Sequence, residues 1–266
     1  MGRTVPYITV AQLDRSPISN QLQKLVPRSS PNDRDAEMAR IILRLSSMIN
    51  DEVGQNLAAT VDTEAGRVRV DSDGHLNIYT RSNPIIEVRS LEVGPSPTQL
   101  SPITDLSGLV LDPWRITVPN YGRPGSKLWA RFVYVNGYPV TTLAAPVVAG
   151  ATTITVTDGT GILPGMSVLT INDGQSEEVV IPTAVVGNVL TVAALDFAHA
   201  AGVGVSELPA TIEEATLLLL SRLHDTWSLS MGAITTDGSG AKIPGATVKR
   251  AMCDAAVMLN PYRRMW

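Results

Sequence analysis

Apolar side chains recur at three- and four-residue intervals in two widely separated parts of the chain, and at two-residue intervals between them. In the first part Met38, Ile41, Ile42, Leu45, Met48 and Ile49 fall on one side of a helix, which predicts an amphipathic helix. Ser30, Pro31 and Asn32 stand where such a helix is capped, and Gly54 where it stops. Asp33, Asp35 and Glu37 occupy its first turns, where the positive end of the helix dipole favours acids. Ahead of it, "TVAQLDR" and "SNQLQKLV" read as short helical pieces separated by Pro17 and Pro27. Far downstream Ile212, Ala215, Leu218, Leu219 and Leu223 line a second helix, and Leu217 and Leu220 widen its apolar side. A helix apolar over so much of its circumference is buried among other elements. Thr211 and Glu214 have the spacing of a capping box just after Pro209. A last helix, "ATVKRAMCDAAVMLN", is broken at Pro261.

The middle of the chain changes period. "RVRVDSDGHLNIYT" alternates apolar and polar residues around Asp73-Gly74 and predicts a β-hairpin. "PIIEVRSLEVG" and "WRITVPN" read as further strands, and Asn136-Gly137 in "RFVYVNGYPVTTL" as a second hairpin turn. Between Arg131 and Arg222 there is no Lys or Arg, whereas Asp158, Asp173, Glu177, Glu178, Asp196, Glu207, Glu213 and Glu214 all fall there. Within that stretch "TTITV", "SVLTI", "EEVVIP" and "NVLTV" are short strands punctuated by Gly, Pro and Asn, the pattern of a small barrel-like all-β module.

The expected order is therefore helices, hairpins, β-module, helices. The Leu217–Leu220 helix needs an apolar partner, and the Met38–Ile49 stripe is the best one in the sequence. That places the two ends of the chain in one helical domain interrupted by an insert. The expected fold is α+β: a helical bundle core with β-hairpins and an inserted small all-β domain. Its parts are 1–143 (core, first part), 144–207 (inserted β-domain) and 208–266 (core helices and C-terminal tail).

Composition adds limits. A chain of 266 residues holds one large or two ordinary domains. One cysteine, Cys253, permits no intrachain disulfide. No apolar run approaches the ~20 residues that span a bilayer, and the start carries no signal-peptide pattern, so no membrane association is expected.

Catalytic chemistry is not legible. Of the three histidines, His75 sits in a hairpin turn, His199 at the end of the β-module and His224 on a helix, none with a second ligand at metal spacing. "DSDGH" lacks the later positions of a calcium loop and reads as a turn. "GSGAK" is not a phosphate loop, no nucleophile elbow occurs, and Cys253 reads as a packed thiol. Glu177 and Glu178 point to opposite faces of a strand, which makes them a poor acid–base pair. No enzyme activity, metal or cofactor is expected. The tail "NPYRRMW" is different in kind, because Tyr, Arg, Met and Trp are enriched at the centres of protein interfaces.

The plan of the chain resembles the head–tail connector (adaptor) proteins of tailed bacteriophages. The resemblance rests on "YITVAQL", the long helix "DRDAEMARIILRLSSMINDEVG", the strand "PIIEVRSLEV", "YVNGYPV", the Pro-preceded apolar helix "LPATIEEATLLLLSRLHDTW" and a terminal helix. The Gly- and Thr-rich stretch also resembles a β-module inserted in various phage structural proteins. The resemblance implies a homo-oligomeric ring, a dodecamer, beneath the portal of the virion. The ring extends the DNA channel and gives the next neck or tail protein (a stopper or tail terminator) its landing surface. It further implies assembly in the host cytoplasm, and portal contacts from the C-terminal part: Lys249, Arg250, Tyr262, Arg263, Arg264, Met265 and Trp266. Two other classes stay open on the residues alone. One is a different phage neck or tail-associated binding protein whose β-module contacts a partner or ligand. The other is an enzyme, a hydrolase for instance, with an unfamiliar site involving His199 or Glu178.

Overall fold

The computed structural model describes residues 5–16, 19, 31–232 and 245–263. It overturns the helical-bundle core: the described residues form fourteen strands and four helices, and the largest element is a curled antiparallel half-barrel sheet. The segments of alternating pattern do not decorate a bundle. They hydrogen-bond to one another and enclose a core of their own.

The chain divides into two compact units. Among the described residues the first is 55–138. Its strands are β1 (Thr60–Val70), β2 (Leu76–Tyr79), β3 (Ile85–Ser96), β4 (Gln99–Pro102), β5 (Val110–Asp112), β6 (Arg115–Val118) and β7 (Lys127–Asn136). They form one sheet in the order β4-β3-β7-β1-β2-β6-β5. Leu76, Ile78, Leu91, Val93, Ile116, Ala130, Phe132 and Tyr134 fill its concave side. The turn at Asp73-Gly74 joins β1 to β2 as expected, and Gly74 takes a left-handed conformation there.

The second expected hairpin does not form. The strand after Asn136-Gly137 never pairs with β7, because both edges of β7 are already occupied, one by β1 and the other by β3. At Gly137 the chain turns away with φ 93°, and Tyr138 bridges in parallel to Ala58. A Cβ at 137 would lie 2.7 Å from the Ala58 carbonyl oxygen.

The second unit contains residues 4–54 and 139–263. Its helices are α1 (Val10–Arg15), α2 (Pro31–Val53), α3 (Ala210–Gly232) and α4 (Gly245–Leu259), followed by a 3-10 turn over Asn260–Tyr262. Thr9 caps α1 in a reciprocal capping box with Gln12. The Leu-rich helix finds the partner its pattern called for: α3 packs on α2 and on α4. Met38, Ile42 and Ile49 on one side and Ile212, Ala215 and Leu220 on the other are almost fully buried. Helix α3 begins at Ala210, so Thr211 lies inside its first turn and not at the cap. Cys253 is exposed on α4, which corrects the packed-thiol reading: Ala255 and Leu259 are the residues that this helix buries among those described.

The β-strands of this unit make two short sheets. One is ordered β11-β10-β14-β8, from β8 (Val140–Thr142), β10 (Leu169–Asn172), β11 (Glu177–Val180) and β14 (Gly204–Ser206). The other is ordered β12-β13-β9, from β9 (Thr153–Thr155), β12 (Ala184–Val186) and β13 (Val189–Thr191). They share a core that includes Ile154, Leu169, Ile171, Leu190 and Val205.

Gly137→Ala is expected to cost about 2 kcal/mol or more, from a strained positive φ plus a backbone clash. Urea titration should show a lower midpoint with an unchanged slope.

Candidate functional site

Three places in the described residues concentrate charge or exposed interface-type side chains. The first lies in the second unit, around His199. The tight turn from β10 to β11 carries Asp173, whose Oδ1 accepts the backbone N–H groups of Gln175 (2.7 Å) and Ser176 (2.8 Å). Its Oδ2 accepts the Ser176 hydroxyl at 3.0 Å. The turn is held tightly because the carboxylate reproduces the acceptors that the backbone lacks there. The same Oδ2 stands 3.3 Å from His199 Nδ1, while Glu178 Oε1 stands 2.6 Å from His199 Nε2. Arg15, at the end of α1, donates to the Asp173 backbone oxygen (2.6 Å) and to its Oδ1 (3.2 Å).

The His199 side chain is completely buried. Both ring nitrogens face carboxylate oxygens, and only the doubly protonated ring can donate to both. The ring is held on both sides, and with no access to solvent it cannot reach a substrate. Partial burial alone would raise the Asp173 carboxyl, but the hydrogen bonds from Ser176, Gln175 and His199 outweigh it and hold it at about 2. The sequence reading of His199 as isolated missed this, since its partners lie 26 and 21 residues away. The expected opposite orientation of the two glutamates is found: Glu178 turns in to His199 and Glu177 is exposed.

Beside this clamp a hollow of about 280 Å³ is lined by Gln12, Arg15, Asn172, Gln175, Glu177 and Glu213, among others. Burial first, and the negative charge of Glu177 second, push Glu213 up to about 7, against one long hydrogen bond from Ser206.

The second place is in the first unit. Strand β1 pairs with β2 only at Arg69 and Val70, so a groove of about 1020 Å³ opens where the two strands diverge. Arg67, Arg69, Arg81 and Lys127 line it, with Tyr79, which is 64% exposed. Arg67 also lies over the Trp129 ring, 5.4 Å from its centroid. Two acids line the groove as well. Glu64 accepts from the Tyr134 hydroxyl at 2.5 Å. Asp71 accepts from His75 N, Asp73 N and Asn77 Nδ2, and the first of these does most to hold it below the usual carboxylate range. That loop is the "DSDGH" turn, closed by its own backbone.

The third place is the C-terminal end. Lys249 and Arg250 fall on α4, and Tyr262 is half-buried in the 3-10 turn. Arg263 forms an ion pair with Glu52 on α2. Arg264, Met265 and Trp266 lie outside the described residues. Among the described residues no group of three or more His, Cys, Asp or Glu side chains could hold a metal ion. Among them too, no helix is long and apolar enough to cross a membrane.

No protein-family model matches the chain. No curated protein sequence matches it. Among solved structures, a chain described as "Neck of empty GTA particle computed with C6 symmetry" aligns over 97% of this chain and 94% of that one, with 11% identity and a TM-score of 0.39. A likeness of that size fixes neither fold nor function.

Two stability experiments test the electrostatics. His199→Ala takes one partner from each of two carboxylates, which keep others (Arg15, Gln175 and Ser176 for Asp173, the Asp196 N–H for Glu178), and is expected to cost about 1–3 kcal/mol in denaturant unfolding. Asp173 binds its proton less readily folded than unfolded. Its contribution is therefore present above its ordinary value of 3.8 and is lost as pH falls towards about 2. Glu213 has the opposite sign: raised from 4.5 to about 7, it lowers stability as pH climbs through that window. Glu213→Gln should flatten the stability profile between about pH 4.5 and 7 and leave the acid limb in place.

Proposed function

We propose that this chain is a structural neck protein of a tailed-phage-like virion, an adaptor ring between the portal and the next neck or tail protein. Its role on this reading is assembly and not catalysis. The observation that supports it is the return of the C-terminal helices to the N-terminal one: α3 and α4 close on α2, and Arg263 pairs with Glu52 beside the point where the tail leaves. That is the order of elements on which the connector resemblance rests. The ring is a dodecamer matched to the portal, and genomic DNA passes through it without sequence readout.

The portal-contact residues on this reading are Lys249, Arg250, Tyr262, Arg263, Arg264, Met265 and Trp266. An aromatic and basic tail supplies residue types that carry binding energy when a partner buries them. The segment 144–207 is an insert that leaves the core plan intact.

The test is mass and shape of the purified chain, alone and with a portal ring, by light scattering and negative-stain imaging. The full chain is expected to join the portal, and a chain ending at Leu259 is expected not to. A full chain that ignores the portal overturns the reading and shifts attention to the β-module as a ligand-binding part.

A further inference from the structure

The two units carry opposite electrostatic liabilities that nothing in the same unit relieves. On β1 and β7, Arg69 and Lys127 stand directly opposite each other, and both are exposed. Like charges directly opposite on one face of a sheet destabilise the pairing. Among the described residues neither side chain has an ion pair, and the nearby Asp71 and Glu64 are engaged by the groups named above. Arg67 extends the same exposed row. Other cations of this unit do have partners: Arg81, in the same groove, pairs with Glu64, Arg89 with Glu87, Arg115 with Asp112 and Arg131 with Glu92.

The second unit shows the reverse. Residues 139–207 contain acids and no Lys or Arg. Glu177, which is exposed, and the half-buried Glu213 both line the hollow. Arg15, the cation that also lines it, is committed to Asp173. Glu177 lies on β11, an edge strand of its sheet. Its outward face continues as Val179, 61% exposed, and then Ile181, 50% exposed. Val168, 47% exposed, precedes β10 beside them. An edge strand with apolar residues on its open face is a site of pairing with another chain.

We infer that the basic β1–β7 face of one copy docks on the acidic edge formed by β11 and the start of α3 of a second copy. Arg69 and Lys127 meet Glu177, and the exposed valines and isoleucine are covered at the same contact. The occupant is a second copy because one sequence holds both halves of the match. The surfaces differ, so the contact is head-to-tail and leaves a free half at each end, which a ring satisfies by closing. The inference rests on the ring reading and names the surfaces that would join its subunits.

The experiment is sedimentation velocity of the full chain over a concentration series at low and high salt. It includes two variants, Arg69→Glu/Lys127→Glu and Glu177→Lys. The native chain is expected to self-associate and to weaken as salt rises. Each variant alone should lose association by about tenfold or more, and an equimolar mixture of the two should regain it. Recovery in the mixture also shows that both variants fold. A native chain that stays monomeric at low salt and high concentration overturns the inference, as does association that neither variant changes. In both cases the neck reading stands or falls separately, on whether the chain joins a portal ring.

Discussion

Asp173 joins three pieces of chain that are far apart in sequence. Its carboxylate closes the β10–β11 turn, faces the buried ring of His199 and receives Arg15 from α1. Each connection depends on the others. The turn fixes where the carboxylate points, His199 places a potential positive charge between it and Glu178, and Arg15 ties the β-strands to the first helix. The ring of His199 and the Glu178 carboxylate facing it are the enclosed members of the node, so losing that contact costs more than losing the open Arg15–Asp173 pair.

The rest of the second unit is consistent with that anchorage. The strands around 139–207 could in principle fold on their own core, but Gly204 approaches Gln12 and Thr9 closely, and Gly174 lies against Arg15. Short residues at these two positions allow α1 to lie near the sheet. The helices then close through apolar contact between α2 and α3. In the first unit the organising constraint is hydrogen-bond saturation. β7 lies between β1 and β3, both antiparallel to it, and cannot accept another neighbour. Everything after Asn136 is therefore redirected.

Each histidine with a described side chain is spoken for: His199 by two carboxylates and His75 by the backbone N–H of Asn120. What remains uncommitted among the described residues is the exposed row of Arg69 and Lys127 on the first unit and the exposed Glu177 on the second. Rows of like charge cost stability in the monomer.

The helices were legible because a 3.6-residue period with caps and glycine stops is a local signal. Met38 through Ile49, the Leu217–Leu220 stretch and the Asp73-Gly74 hairpin all came from spacing alone, as did the absence of positive charge between Arg131 and Arg222. The helical-bundle core was misjudged because periodicity names elements but does not say which strands pair. Asn136-Gly137 carries the local chemistry of a hairpin, yet the neighbours of β7 decide that none forms. His199 looked isolated for the same reason. The sequence by itself determined the elements and the charge asymmetry, since both depend on residues within a few positions of one another. Only the tertiary structure decided the seven-stranded pairing, the clamp around His199 and the facing of Arg69 with Lys127, since each depends on residues tens of positions apart that meet only when the chain closes on itself.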